Sequence, residues 1–363
     1  MGKIYTALGL MSGTSGDGID ASIVKSNGQN EYKTIANKLY RYTENTKIKI
    51  HRLKENIKTP SNLNDFSKEI HLLEEEITSY HIEASQDMQK NYDFDLIGFH
   101  GQTILHIPEK KISKQIGLGK KLSTSTKKTV VYNFRKNDLD NGGQGAPLAP
   151  IFHELIVKQK KLKLPSTILN IGGISNITTI NDKFEISSSD IGPGNCLIDR
   201  WIRLNTKKKF DKDGSIARSG ERNRLILNQA LDNFQFYNKS SLDIKNFDIS
   251  FAKGLSIEDG ASTLTEFTVE LIRSGLNDLL HKNKQDWEIP QEIIICGGGR
   301  KNKYLMELLK LNLHYKNFST IDEFNIDGDF IESQAFAFLA IRSFLNLPIS
   351  FPETTGCKEP CTG

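Results

Sequence analysis

The sequence predicts an α/β protein of two similar lobes around a cleft. Three observations lead there. Short apolar runs of strand character alternate with longer segments of helical period. The apolar run from Ile4 to Met11 ends in a turn with three glycines, and an alternating second strand follows to Val24. A similar unit returns at Thr167–Ile180, where the turn is Gly172-Gly173. The two units lie too far apart for a repeat array. No Pro/Ser-rich linker separates them, and we place the boundary near Lys128. The expected lobes are residues 1–128 plus about 345–363, and residues 129–344.

The elements follow in order. Ile4–Met11 is a buried strand, and Ile19, Ala21 and Ile23 alternate with polar residues in its partner. The 31–60 segment is polar and mixed. A helix is expected over about 63–89, with Leu63, Phe66, Ile70, Leu73 and Ile77 on one stripe. Phe94–Phe99 and Thr129–Phe134 read as short strands, and a helix starts at Pro150. After the second hairpin, Asp190 to Asn195 leads into a helix from Cys196, with Asn195 as its N-cap. A basic, glycine-punctuated loop is expected at 204–220, then helices at 221–233 and 262–282. Glu292–Cys296 is a buried strand, and the last clear helix is about Ser333–Phe344.

Composition excludes several classes. The 363 residues suffice for two domains, with 37% hydrophobic and 25% charged residues, as in ordinary globular proteins. The net charge is +4, and the lysines of 108–128 and 158–163 have no aromatics between them, so they read as solvated faces, not a nucleic-acid surface. No apolar run is long enough for a bilayer. The first residues enter a strand at once, which argues against a signal peptide. Cys196, Cys296, Cys357 and Cys361 show no C-x-x-C spacing, and a reducing cytoplasm is expected.

There is no P-loop, Rossmann fingerprint, zincin pair or nucleophile elbow. His100 and His106 read as a local structural pair. The glycine elements remain. In the first turn, backbone N–H groups can close on an anion, with Thr14 and Ser15 adding hydroxyls. Asp17 and Asp20 make chemical sense there if a divalent cation sits between carboxylate and phosphate. Gly172-Gly173 offers a second phosphate turn. Gly297, Gly298 and Gly299 end a buried strand and could let a purine lie flat on the backbone. Asp190 before Gly192-Pro193-Gly194 suits either a turn or a general base. Glu332 is a first-turn acid of an apolar helix, with a ligand-facing role as the lesser reading.

Ten motifs in order resemble the anhydro-N-acetylmuramic acid kinase family. They are G-L-M-S-G-T-S-G-D-G-I-D (9–20), F-H-G-Q-T-I-L-H (99–106), N-F-R-K-N-D (133–138), G-G-Q-G-A-P-L (142–148) and L-N-I-G-G-I-S-N-I-T (169–178). D-I-G-P-G-N (190–195), D-K-D-G-S-I-A-R-S-G (211–220), G-A-S-T-L-T-E-F (260–267), C-G-G-G-R-K-N (296–302) and E-S-Q-A-F-A-F-L-A (332–340) continue the set. Two departures stand out. The family's K-S-T-G-R-E-x-F run is replaced by Lys245–Phe251, and Ile191 stands where Thr is usual after the acid.

The resemblance implies the actin-like, ribonuclease H-like ATPase fold. It implies ATP-dependent opening of 1,6-anhydro-N-acetylmuramic acid and phosphorylation of its O6, in recycling of the cell wall. On this reading Asp190 is the base and Glu332 lies near the reacting centre. Gly13, Thr14, Ser15, Gly16, Asp17, Gly18, Ile19 and Asp20 hold the phosphates, with Gly172, Gly173, Gly297, Gly298 and Gly299 completing the nucleotide site. Asp17 and Asp20 hold Mg²⁺, and Thr103 and Arg135 contact the sugar. The crossing helix and the base fall in the 129–344 lobe. No nucleic acid or membrane partner is expected, and a homodimer stays open. An actin-like filament ATPase and a kinase-fold regulator are the competing classes. The regulator usually carries an added helix-turn-helix, and no segment precedes Ile4 to supply one.

Overall fold

A computed structural model describes residues 2–234, 247–282, 291–313 and 317–363. The chain opens with β1 (Tyr5–Ser12), β2 (Gly18–Ser26), β3 (Tyr32–Arg41), α1 (Glu44–Asn56), α2 (Pro60–Asp65), α3 (Ser67–Gln89), β4 (Leu96–Ile107), β5 (Ile112–Ile116), α4 (Gly119–Thr126), β6 (Thr129–Tyr132), α5 (Lys136–Asp140) and α6 (Pro150–Lys160). Next come β7 (Ser166–Ile171), β8 (Ile174–Ile180), β9 (Ile186–Pro193), α7 (Cys196–Asn205), α8 (Ser215–Ser219), α9 (Arg224–Asn233), α10 (Ile257–Lys282), β10 (Glu292–Cys296), α11 (Lys303–Leu313) and β11 (Phe318–Thr320). Two further helices, α12 (Ile331–Phe344) and α13 (Pro352–Thr355), follow.

The chain divides into two compact units, Met1–Gln159 with Phe330–Gly363, and Lys160–Asp329. In the first, β1, β2 and β3 form an antiparallel meander. β4 lies parallel to β1, and β6 parallel to the first half of β4. The second half of β4 turns back antiparallel with β5. The second unit repeats this pattern: β7, β8 and β9 form the meander, β10 is parallel to β7, and β11 is parallel to β10. The duplication inferred from two glycine hairpins is therefore present strand by strand.

One face of the first sheet buries Leu8, Leu10, Ile19 and Ile23 against Ile50 of α1 and Leu73 and Ile77 of α3. α12 covers the sheet across β1, β2 and β4. It comes this close because two strand positions lack a side chain. A Cβ on Gly9 would stand 1.9 Å from the Ser333 carbonyl oxygen, and one on Gly98 would stand 2.2 Å from that of Phe336. The second unit buries Leu169, Ile171, Ile177, Ile293 and Ile295 against Val269 and Ile272 of α10 and Leu305 and Leu309 of α11.

The unit limits differ from those read in the sequence. β6 pairs with β4, and α12 with its following segment packs on the first sheet, so residues 129–159 and 330–344 join the first unit. The polar 31–60 segment holds β3 and α1, and the expected 63–89 helix is two helices meeting at Phe66. α10 starts at Ile257, where Trp201 Nε1 donates to the Ile257 carbonyl and the indole lies over Gly260. The 204–220 loop contains α8. The lysine-rich 108–128 stretch carries β5 and α4, with Lys114 and Lys121 ion-paired to Glu74 and Glu75 of α3. Of the run that departs from the family, Lys245 and Asn246 lie outside the described residues, while Phe247 and Ile249 are buried with Trp201 and Phe267. Among the described residues, no helix is long and apolar enough to cross a membrane.

Candidate active site

The first unit offers a turn and a polar cluster. The turn between β1 and β2 is closed by a 3.1 Å bond from Gly16 N–H to the Gly13 carbonyl, with Gly16 at φ +63°. Ser12, just before it, is buried. Its hydroxyl lies 2.7 Å from Gln102 Oε1 and 3.1 Å from the Gly18 carbonyl, and it accepts from the Tyr42 hydroxyl at 3.0 Å. Gln102 Nε2 in turn donates to the Gly13 carbonyl at 3.1 Å. A buried glutamine thus fixes the base of the turn from β4, while Thr14 and Ser15 stay exposed at its tip.

The glycines of this turn do different jobs. A Cβ on Gly13 would meet nothing within 4 Å; one on Gly16 would stand 3.1 Å from Ile50 Cγ2, and one on Gly18 would stand 2.3 Å from the Tyr40 carbonyl oxygen. Only Gly13 therefore leaves open space for a ligand, while Gly16 and Gly18 serve packing. The Ile19 side chain is in the hydrophobic core, so it does not reach a ligand. Asp17 is ion-paired with Lys47 at 3.1 Å. Asp20, half-buried on β2, lies near enough to Tyr42 that its charge adds to the burial that raises that phenol's pKa. The hard oxygen donors that Mg²⁺ needs are present in Asp17 and Asp20.

The polar cluster gathers on β4, β5, the start of α5 and the first turn of α12. Arg135 precedes α5, and its Nη2 donates to His100 Nε2 at 3.1 Å. His100 Nδ1 must carry the proton, because it donates to the Gly101 carbonyl at 2.9 Å. Burial, then the Arg135 charge, pushes the His100 pKa down to about 3. His106, bonded to Ser113 Oγ at 2.9 Å, is pushed down to about 3 by the same two causes. Thr103 Oγ1 accepts from Gln115 Nε2 at 3.2 Å, and that amide also donates to Ser113 at 2.7 Å. Glu332 is exposed in the first turn of α12, yet protein atoms around it raise its carboxyl above the usual range; the Arg135 guanidinium pulls it back. Thr103, Arg135 and Glu332 thus share one cluster with two neutral histidines. The contribution of Ser113 and Gln115 is not legible in the sequence, because β5 lies in a lysine-rich stretch.

The second unit offers two glycine turns and a row of polar side chains. Asn195 N–H donates to the Gly172 carbonyl at 2.8 Å, and Gly194 N–H to that of Gly173 at 2.9 Å. A Cβ on Gly194 would stand 2.2 Å from the Gly172 carbonyl oxygen. Asn195 occupies the N-cap position of α7, but its side-chain amide reaches the Gly172 carbonyl, at 3.3 Å, and accepts no helix N–H. The hairpin turn is therefore tied to the helix start. Of the three glycines after β10, a Cβ on Gly297 would stand 2.3 Å from Asn170 Oδ1 and one on Gly299 2.3 Å from Ile171 Cγ2, while one on Gly298 would meet nothing within 4 Å. Gly298 alone is open. Arg300, almost fully buried, donates to the Gly297 carbonyl at 2.9 Å and bonds Asp322 and Asp329, so this turn is clamped.

Asp190 is not a turn or cap residue. It lies inside β9 and pairs directly with Asn176 of β8, which itself pairs with Asn170 of β7. Directly paired residues point to one face, so Asn170, Asn176 and Asp190 form a polar row across three strands. The register shifts beside it, where Ser175 faces Gly192 and Ile191 is passed over. Ile191 is buried in the core, so the position where the family has Thr is here an apolar packing residue.

The family profile described as "Anhydro-N-acetylmuramic acid kinase" matches residues 5–363. Three relatives of that name are similar across nearly the whole chain. The one from Pelagibacter ubique is 49% identical, covering 100% of this chain and 98% of its own. That from Zymomonas mobilis is 37% identical, covering 98% of each. That from Brucella canis is 35% identical, covering 100% of this chain and 98% of its own.

Proposed function

The chain belongs to the anhydro-N-acetylmuramic acid kinase family, and from that premise we propose how its residues run the reaction. The enzyme uses ATP to convert 1,6-anhydro-N-acetylmuramic acid to N-acetylmuramic acid 6-phosphate, which returns a cell-wall fragment to metabolism. The observation that carries this reading is the family match from residue 5 to residue 363.

Asp190 takes a proton from water as the water oxygen attacks the anomeric carbon. The bond from that carbon to the bridging oxygen breaks, and O6 leaves. O6 then attacks the γ-phosphorus of ATP in line, and ADP departs. A strand position holds the carboxylate in a fixed direction, which suits a base that must face one substrate carbon. Asn176 beside it offers an amide for the carboxylate or the water.

Arg135 binds the lactyl carboxylate through its planar fork. The neutral His100 supports this, since it occupies one guanidinium nitrogen without cancelling the charge. Thr103 contacts the sugar, and Glu332 lies close to Arg135 on the same cluster. The turn at 13–20 holds the phosphates, with Gly13 as the point of closest backbone approach. In the second unit, Gly172 and Gly173 are the phosphate turn and Gly298 is the glycine for the base of the nucleotide, while Gly297 and Gly299 shape their turn. Asp17 and Asp20 would hold Mg²⁺, which when bound would supply charge neutralisation for the transferred phosphoryl group. None of the four cysteines forms a disulfide, which fits a reducing cytoplasm.

The test is ADP release measured side by side with anhydro-N-acetylmuramic acid, N-acetylmuramic acid and glucose. Turnover should require the 1,6-anhydro bridge. Equal turnover of the other two sugars would make this a general sugar kinase.

A further inference from the structure

Asp138 on α5 is 1% exposed. Its Oδ1 accepts from the Thr355 hydroxyl at 2.5 Å and its Oδ2 from the Gly145 N–H at 2.6 Å. Both donors are neutral, and among the described residues no ion pair to Asp138 is present. The nearby Lys136 pairs with Asp140 instead. A buried carboxylate in this state is costly unless a cation compensates it.

Two thiols lie beside it. Cys357 and Cys361 are 2% and 3% exposed, and their sulfurs and one Asp138 oxygen all lie within 4.8 Å of one another. Cys361 is held in place by a bridge to Ser350, with its N–H 3.0 Å from the Ser350 carbonyl. The hydroxyl of Ser350, the residue bridged to Cys361, is buried without a hydrogen-bond partner. A bound cation would hold both sulfurs as thiolates, since a coordinating thiol is deprotonated outright.

We propose that Asp138, Cys357 and Cys361 bind one thiophilic divalent cation of the zinc class, with the Ser350 hydroxyl next to the fourth position. Zinc takes sulfur at about 2.3 Å and carboxylate oxygen at about 2.0–2.2 Å, so tetrahedral ligand atoms stand roughly 3.5–3.8 Å apart. The three donors close to that spacing by side-chain adjustment. The two thiolates and the carboxylate compensate the cation, and the buried carboxylate gains its missing partner.

Such a cation would staple the 357–361 segment to α5, the helix that begins after Arg135. The surrounding backbone already binds these parts together. Lys358 N–H reaches the Asn141 carbonyl at 3.2 Å, Gln144 N–H reaches that of Thr355 at 2.9 Å, and Asn137 Nδ2 reaches that of Thr362 at 2.9 Å. The role is structural, distinct from the Mg²⁺ that accompanies ATP: soft donors suit zinc, and hard oxygens suit magnesium.

The test uses the whole chain, purified reduced and stripped with a chelator. Titration with Co²⁺ should give sulfur-to-cobalt charge-transfer absorption that saturates at one ion per chain and is displaced by Zn²⁺. Zn²⁺ should raise the Tm of the stripped protein. Cys357→Ser and Cys361→Ser should each lose charge-transfer intensity and the Zn²⁺-dependent rise in Tm. Absence of a charge-transfer band in the unmutated protein overturns the proposal, whatever the variants do. A native mass two hydrogens lighter, from a Cys357–Cys361 disulfide, also overturns it.

Discussion

Asp190 stands directly opposite Asn176 across the β8–β9 pair, one residue from the place where the register shifts. The sheet, not a helix cap, sets the direction of this carboxylate. Its neighbours across the strands are the neutral amides of Asn176 and Asn170. An amide can donate to a carboxylate without bringing a charge that would lower its basicity.

The β1–β2 turn separates phosphate contact from packing. Gly16 is the glycine that a sequence reading would mutate first, but its positive φ and its contact with Ile50 make any side chain there a threat to the fold. Gly13 faces open space. Gly13→Ala should leave Tm nearly unchanged and raise the KM for ATP about tenfold, or roughly 1.4 kcal/mol. Gly16→Val should lower Tm as well. Calorimetry and thermal melts check both, and an unaltered ATP affinity in the Gly13 variant would reduce the turn to a plain hairpin.

The glycines after β10 make a similar pair. Gly298→Ala should fold normally and weaken ATP binding. Gly299→Ala must push against Ile171, so it should cost about 1–3 kcal/mol of stability, the usual range for overpacking. Denaturant midpoints and ATP titrations of the two variants distinguish these effects. Equal stability of both would mean that Ile171 yields freely.

Arg135→Lys keeps a positive charge but loses the planar fork and its bond to His100. The KM for the sugar should rise more than the KM for ATP, with kcat changing less. Equal rises in both would make Arg135 a support for the fold or for the nucleotide.

Buried histidines make stability depend on pH. Burial pushes His81 and His153 down to about 4 and, with Arg135, His100 to about 3, from an ordinary value of 6.5. Between those values the unfolded chain binds more protons than the folded one, so stability rises with pH. It is fully present above about pH 6.5 and declines as pH falls toward 3–4. At about pH 5 ordinary carboxylates are still ionised, so the loss of Tm between pH 6.5 and 5 should come mainly from the histidines. His153→Gln should reduce that slope, and an unchanged slope would exclude His153 as a contributor.

Much of the architecture could be read from the order of residues. Both glycine hairpins, the Glu292–Cys296 strand and the helix from Pro150 appear where apolar period and turn residues place them. The misses have physical causes. β5 is partly exposed, and α4 turns its lysines outward, so neither carries an apolar run. β9 is rich in serine because it pairs on one side only with β8, and its carboxylate looked like a turn residue beside Gly192-Pro193-Gly194. The affiliation of α12 depends on Gly9 and Gly98, whose role emerges only when a helix is seen to lie on them. At the site, motif residues were legible one by one. Their support was not: Gln102 under the turn, Gln115 beside Thr103 and Asn176 opposite Asp190 act through strand register, which a single sequence does not display.

The strand setting of Asp190 makes its substitution decisive. Asp190→Asn preserves size and leaves β9 free to pair, so Tm and ATP affinity should stay close to those of the unmutated enzyme. The amide cannot accept a proton from water at neutral pH. If Asp190 is the base, kcat should fall by roughly 10²–10⁴. Asn176→Ala supplies the companion measurement. It removes the amide paired across from the carboxylate but leaves the base, so kcat should fall by less than in Asp190→Asn, and a shift of the pH–rate profile would show that the amide supports the ionised carboxylate. A merely structural role for Asn176 would lower Tm and leave the profile in place. An Asp190→Asn enzyme that keeps most of its kcat would remove Asp190 from the chemistry altogether, and the water would then need another base.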